Sequence, residues 1–122
     1  MFELKTEEAR LLLNIALMAI GRNRFQSALK IMAALDLYRP DQEALASVKA
    51  IFLISTLNFQ GAVDYIDNVG LVQFPQSAML QAFKGMAYLR MDKRREAEEP
   101  LQIAANQTAD SAAAQLARDL LK

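Results

Sequence analysis

The amino-acid sequence predicts an all-α protein built from short helices that pair in chain order. The chain has 122 residues, of which 53% are hydrophobic, but it contains only four Gly and three Pro. Such a composition favours helices in one folded domain. Apolar residues recur at intervals of three and four, and no segment alternates for long between apolar and polar residues as a half-buried strand would. Small residues also recur at a long and nearly constant spacing.

Seven helices are expected from this periodicity and from the positions of Gly, Pro and capping residues. They span about residues 7–20, 25–37, 41–57, 59–70, 76–91, 94–105 and 110–121. Thr6 is expected to cap the first helix and Asp110 the seventh, because their side-chain oxygens can accept from free backbone N–H groups. Pro40 suits the first turn of the third helix, and Gly70 suits the C-cap of the fourth. Pro100 should kink or delay the sixth helix.

Small residues mark points of close approach within three helix pairs. The second helix of each pair carries an alanine, and another small residue stands twelve positions before it. The three combinations are Ala16 with Ala28, Ala50 with Ala62, and Gly85 with Ala97. Successive pairs are 34 and then 35 residues apart, and Phe25 and Phe59 occupy matching positions before the second helices. The period indicates three copies of one helical hairpin.

This pattern resembles the tetratricopeptide repeat, a helix–turn–helix unit of about 34 residues. The resemblance divides the chain into repeats at about 9–42, 43–77 and 78–108 within a single domain, 1–122, with a C-terminal capping helix at about 110–121. It implies a right-handed superhelix with an apolar concave groove. Three residues depart from the family pattern: Lys49 at a normally apolar position, Arg94 where an aromatic residue is usual, and Pro100 inside a second helix. The alternative is a generic antiparallel bundle in which the alanines coincide by chance.

Composition argues against catalysis and against strongly charged partners. The chain has no His, Cys or Trp, so the commonest general bases, thiolate nucleophiles and imidazole ligands are missing. We therefore expect no enzymatic activity, no catalytic residue, no metal and no cofactor. Fourteen basic residues balance fourteen acidic ones, which gives no electrostatic reason for binding nucleic acid.

The same composition bears on where the protein resides. The absence of Cys fits a reducing cytosol. Residues 1–10 do not resemble a secretory signal, and the longest dense apolar run, residues 50–54, is too short to span a bilayer. We expect a soluble, unprocessed, cytoplasmic protein that does not insert into membranes.

The resemblance places the first helices of successive repeats along the concave groove, and nearly all groove positions are apolar. They are Leu13, Leu17, Ile20, Ala44, Ser47, Ile51, Ile54, Met79, Ala82, Met86 and Leu89. Contiguous apolar surface of this extent marks a binding site, and it suits an amphipathic helix. Only Arg10, Asn14 and Arg90 could contribute to a clamp for a carboxylate. The alternative occupants of the groove are the seventh helix and a second copy of the chain, which would give a homodimer.

Three degenerate repeats in a short, cysteine-free, near-neutral chain are similar to the small chaperones of bacterial type III secretion, and above all to the chaperone of the needle subunit. This resemblance implies a cytoplasmic protein that holds the C-terminal amphipathic helix of the needle subunit in its groove and prevents premature polymerisation. It also implies a small helical co-chaperone. The other function class is a tetratricopeptide scaffold or regulatory module that binds a peptide of a stable partner protein.

Overall fold

The computed structural model describes residues 3–107 and 111–122, and every regular element within these ranges is helical. The helices are α1 (Thr6–Gly21), α2 (Phe25–Tyr38), α3 (Glu43–Ser55), α4 (Phe59–Tyr65), α5 (Ala78–Arg90), α6 (Arg94–Ala105) and α7 (Ser111–Leu121). Helix α4 continues through a π-helical turn, Ile66–Gly70, into a last helical segment, Leu71–Gln73. The prediction of an all-α protein is confirmed. In the described ranges no helix has the length and apolar character needed to cross a membrane.

Three helix starts differ from those expected: α1 begins one residue earlier than predicted, and α3 and α5 each begin two residues later. Lys5, not Thr6, is the N-cap of α1, and the Glu8 carboxylate accepts a hydrogen bond from the Lys5 backbone N–H at 3.0 Å. The acid therefore satisfies a backbone donor at the start of the helix, as the glutamate of a capping box does. Helix α3 begins at Glu43, so Pro40 lies in the preceding turn and not in the first helical turn.

The predicted end of the fourth helix at Gly70 is also wrong. Gly70 is helical, with φ −60° and ψ −54°, and the chain remains helical to Gln73. A Cβ atom on Gly70 would lie 3.0 Å from Leu80 Cδ1, so glycine here permits close packing against α5. Helix α6 starts at Arg94 as expected and is not interrupted by Pro100. The predicted cap Asp110 lies outside the described residues.

The turn that ends the first helix of each hairpin has one recurring backbone geometry. A non-glycine residue adopts the left-handed conformation in each turn: Asn23 with φ 59°, Leu57 with φ 65° and Asp92 with φ 60°. The residue after it donates a backbone hydrogen bond five positions back, from Arg24 to Ala19, from Asn58 to Leu53 and from Lys93 to Tyr88, each at 2.8 Å. This is the Schellman motif. The turn residues are 34 and 35 positions apart, the same spacing as the small residues.

The core consists of three successive hydrophobic clusters. The first joins α1 and α2 to α3, the second joins α3 and α4 to α5, and the third joins α5 and α6 to α7. Each hairpin is thereby packed against the next helix along the chain. The six small residues of the sequence pattern are all buried, namely Ala16, Ala28, Ala50, Ala62, Gly85 and Ala97. Their burial agrees with their expected place at the contacts between paired helices.

Candidate binding groove

An open groove with a volume of about 410 Å³ crosses the first helices of the three hairpins. Helix α1 contacts α3, and α3 contacts α5, which places one face of each helix side by side. The lining residues are Arg10, Leu13, Asn14 and Leu17 of α1, Glu43, Ala44, Ser47, Val48 and Ile51 of α3, and Met79 and Phe83 of α5. Within each helix they are spaced by one, three or four positions, so they share one face. Six of the predicted groove positions are among them: Leu13, Leu17, Ala44, Ser47, Ile51 and Met79.

The walls of the groove are accessible and its floor belongs to the core. Leu13, Val48 and Phe83 line the groove but are buried in the hydrophobic clusters beneath it. Leu17 is 37% exposed, and Ala44 is also exposed. An apolar side chain entering the groove would therefore meet a preformed surface supported by three packed helices.

Polar side chains stand at the edges of the groove. Arg10, Asn14 and Glu43 are all exposed and line it. In the part of the chain that the structure describes, neither Arg10 nor Glu43 takes part in an ion pair. Arg90 does not line the groove: its guanidinium lies over the Phe59 ring, 5.0 Å from the ring centroid. Of the three candidate clamp residues, only Arg10 and Asn14 line the groove.

Three predicted site residues do not contribute accessible surface. Ile20, Ile54 and Ala82 are buried in the first, second and third clusters respectively, so these three side chains belong to the core and do not line the groove. The physical reason is that the groove face and the core face adjoin on each helix, where successive residues are separated by about 100°. Packing of the next hairpin then decides which positions are covered.

Helix α7 covers the far end of the predicted groove. Leu89 packs against the third cluster and lines a small cavity of about 50 Å³ together with Leu120 and Leu121. Met86 is half-buried against the second cluster, as is Leu116 of α7. No described residue of α7 lines the 410 Å³ groove. The open surface is therefore confined to α1, α3 and the start of α5.

Three lining residues were missed by the sequence analysis: Glu43, Val48 and Phe83. Val48 lies four positions after Ala44, and Phe83 lies four positions after Met79. The helical spacing that identified the other positions would have found both. Glu43 lies four positions before Ser47, so the same helical face includes it as well.

A second open pocket, of about 430 Å³, lies between α2, α3 and α4. Its lining residues are Leu29, Met32, Ala33, Asp36, Lys49, Phe52, Leu53 and Tyr65. Lys49 forms an ion pair with Asp36, which explains why a lysine is accommodated at a position where the repeat pattern has an apolar residue. Burial, followed by the nearby Asp36 carboxylate, raises the pKa of the Tyr65 hydroxyl.

Comparisons with family models, with curated proteins and with solved structures found no match to this chain. Across residues 3–107 and 111–122, no three His, Cys, Asp or Glu side chains come together as a metal site would need. The geometry of the groove is therefore the main basis for a functional conclusion.

Proposed function

We propose that this protein is a tetratricopeptide-type chaperone that holds an amphipathic helix of a secreted client in the groove. The client class that fits best is a needle-type subunit, whose premature polymerisation the chaperone prevents in the cytoplasm. The observation that carries the proposal is the groove itself, in which Leu17, Ile51 and Met79 from three consecutive first helices form one accessible apolar surface above a buried floor that includes Leu13.

The recurring hairpin supports the tetratricopeptide assignment. One turn geometry repeats at the spacing of the small residues, and each hairpin packs against the first helix of the next. Stacking of this kind is how repeat units bury a continuous core and build an extended concave surface. A right-handed superhelix of three repeats with α7 as its C-terminal cap is the architecture that these contacts favour.

A helix is the client structure that the groove suits best. An amphipathic helix presents apolar side chains at three- and four-residue intervals, which is the recognition pattern of helix-in-groove complexes. Burying each large apolar side chain contributes about 1.5–3 kcal/mol, so a few anchors can hold the helix. Arg10 and Glu43 at the edges can contact charged residues beside its apolar stripe.

The second function class, a scaffold that binds a short peptide of a stable partner, predicts a different client. We would express the tagged chain in its native cell, recover bound proteins and identify them by mass spectrometry. The chaperone proposal expects a small subunit that aggregates without this protein and is released when its terminal amphipathic helix is deleted. Recovery of only partners that stay soluble alone and bind through extended peptides would contradict the chaperone proposal and support the scaffold. A small helical co-chaperone in the same complex would further support the needle-chaperone class.

A further inference from the structure

Helix α1 carries a second apolar face, which lies outside the groove. Leu11, Ile15 and Met18 are spaced by four and three positions and therefore form one stripe. They are 60%, 41% and 57% exposed respectively, and none of them lines the groove. We call these three residues the edge stripe.

The hairpin repeat shows that later helices use the same face as a packing surface. Leu11 corresponds to Leu45 and Leu80 at spacings of 34 and 35 residues. Leu45 is 2% exposed and packs in the first cluster, while Leu80 is fully buried in the second. The equivalent leucine of α1, Leu11, is 60% exposed, and no hairpin of the described residues packs over it.

Ile15 strengthens this comparison. Its counterparts are Lys49 and Lys84, which form ion pairs with Asp36 and Asp67 on the preceding hairpins. The two positions that meet a neighbouring hairpin thus hold lysines, whereas the one position at the free edge holds isoleucine. Exposure to water alone would favour lysine rather than isoleucine at position 15, because a charged side chain is well hydrated and an apolar one is not. The edge stripe therefore has the composition of a covered surface.

Charges flank the edge stripe symmetrically. Glu8 lies in α1 seven residues before Ile15, and Arg22, the C-cap residue just after the end of α1, lies seven residues after it. The Arg22 guanidinium has no ion-pair partner among the described residues. If two α1 helices lie antiparallel with Ile15 at the centre, Glu8 of one faces Arg22 of the other, and Leu11 of one lies within one residue of the position that faces Met18 of the other. The fourteen residue steps from Glu8 to Arg22 correspond to a length of about 21 Å at the helical rise per residue.

We propose that the edge stripe is the interface of a symmetric homodimer, with α1 packed antiparallel against α1 of a second copy around a twofold axis at Ile15. Self-complementarity of one surface patch is what a twofold interface requires. Head-to-tail stacking does not provide this self-complementarity, because the opposite end of the array is capped by α7, whose exposed side chains include the polar Gln115 and Asp119. Leu17 lies about 200° around α1 from Ile15. The dimer therefore leaves the groove open and does not depend on the proposed function.

The oligomeric state of the full chain tests this directly. Size-exclusion chromatography with light scattering should give the wild type a mass twice that of the 13.6 kDa chain. The Ile15→Asp variant should have the mass of a monomer, because the substitution would place two carboxylates next to each other on the twofold axis. Leu37→Asp is the matched control, because Leu37 is 72% exposed on α2 and outside the stripe. It should remain dimeric. Circular dichroism would confirm that both variants keep their helices.

Charge exchange tests the antiparallel register. Glu8→Arg alone and Arg22→Glu alone should each shift the equilibrium toward monomer, because like charges then face each other. The double variant should recover the dimer. Glu8→Arg also removes the hydrogen bond that the Lys5 backbone N–H donates to Glu8. If loss of this bond caused the dissociation, the double variant would also be monomeric. Recovery of the dimer in the double variant would therefore show that the charges act across the interface.

A disulfide provides a second, independent measurement, since the chain contains no Cys. Under mild oxidation, Ile15→Cys should form a cross-linked dimer, because a disulfide requires Cβ atoms about 3.5–4.5 Å apart. Val72→Cys, at an exposed position on another helical segment, should not. A wild-type chain that is monomeric at high micromolar concentration would overturn the proposal. The edge stripe would then have to contact a different protein. A dimer that persists in Ile15→Asp would place the interface elsewhere.

Discussion

Gly85 on α5 lies directly against the side chain of Leu101 on α6, and a Cβ atom at position 85 would overlap Leu101 Cγ and Cδ2. Leu101 is 1% exposed and sits in the third cluster, so close packing restricts its movement. This contact explains why the small residue of the third hairpin is glycine, whereas the first two hairpins have Ala16 and Ala50.

Gly85→Ala is therefore expected to destabilise the protein. In an unobstructed helix this change stabilises by about 0.5–1 kcal/mol, but forcing a methyl group against a packed side chain costs about 1–3 kcal/mol. Urea denaturation would measure the difference. Gly21→Ala is the matched control, because nothing lies within 4 Å of the Cβ position there, and it should show no loss. Greater stability in Gly85→Ala would contradict the close approach of α5 and α6.

Leu57 is an unfavourable residue for its turn. It adopts φ 65°, a left-handed conformation that costs most non-glycine residues about 1–2 kcal/mol, and its side chain is exposed. The equivalent residue in the first hairpin is Asn23. Leu57→Asn should therefore stabilise the chain by about 0.5–1 kcal/mol and raise the melting temperature. Leu57→Ala keeps a Cβ atom without a polar side chain and should not give this gain. Equal melting temperatures for wild type and Leu57→Asn would argue against strain in the turn.

Phe25 joins the first hairpin to the second. Its ring meets the Phe52 ring edge-on, with centroids 5.7 Å apart. Phe25→Ala should lower the free energy of unfolding by about 3 kcal/mol, the lower end of the range for buried phenylalanines, because Phe25 is half-buried. Phe25→Leu retains apolar volume and should lose about 0.5–1.5 kcal/mol, the contribution of the aromatic pair. A near-zero loss in Phe25→Ala would mean that the two rings do not pack in solution.

Tyr65 should make stability decrease at alkaline pH. Burial and then the Asp36 carboxylate raise its pKa above the ordinary value of 10.0, so the folded protein retains a proton that the unfolded chain releases. This contribution is complete below pH 10.0 and is lost as pH rises through the folded-state pKa. Tyr65→Phe should show a smaller decrease in unfolding free energy over that window, as measured by denaturation at several pH values. An identical pH profile in Tyr65→Phe would contradict burial of the hydroxyl.

Apolar periodicity, together with Gly, Pro and capping residues, predicted the helices, and the spacing of small residues predicted their pairing. Ala28 and Ala97 could be located from spacing because helical hairpins need small residues where their axes approach. Gly70 was predicted as a helix C-cap from its local sequence, but it lies within the helix. Glycine is needed there because a Cβ atom would lie too close to the Leu80 side chain. The left-handed Leu57 gave no sequence signal, because leucine is rarely found in that conformation.

The site was predictable only in part. Leu17 and Ile51 were predicted from the resemblance to tetratricopeptide arrays, whose first helices line a groove, and both line the observed groove. Ile54 is three positions beyond Ile51 and could not be separated from the groove face, since its burial depends on how the next hairpin packs. The covering of Leu89 likewise depends on α7, and a sequence pattern does not specify which helix a capping segment will contact.

Recovery of the client by a groove variant is the most direct test of the proposed helix-binding site. Leu17→Asp places a carboxylate in the groove wall, where the free protein leaves it in water but a bound apolar helix would bury it without a partner, at a cost of several kcal/mol. The proposal predicts that Leu17→Asp loses the client recovered by wild type while its melting temperature stays nearly unchanged, and that the control Leu37→Asp keeps the client. Undiminished client recovery with folded Leu17→Asp would contradict the groove as the binding site.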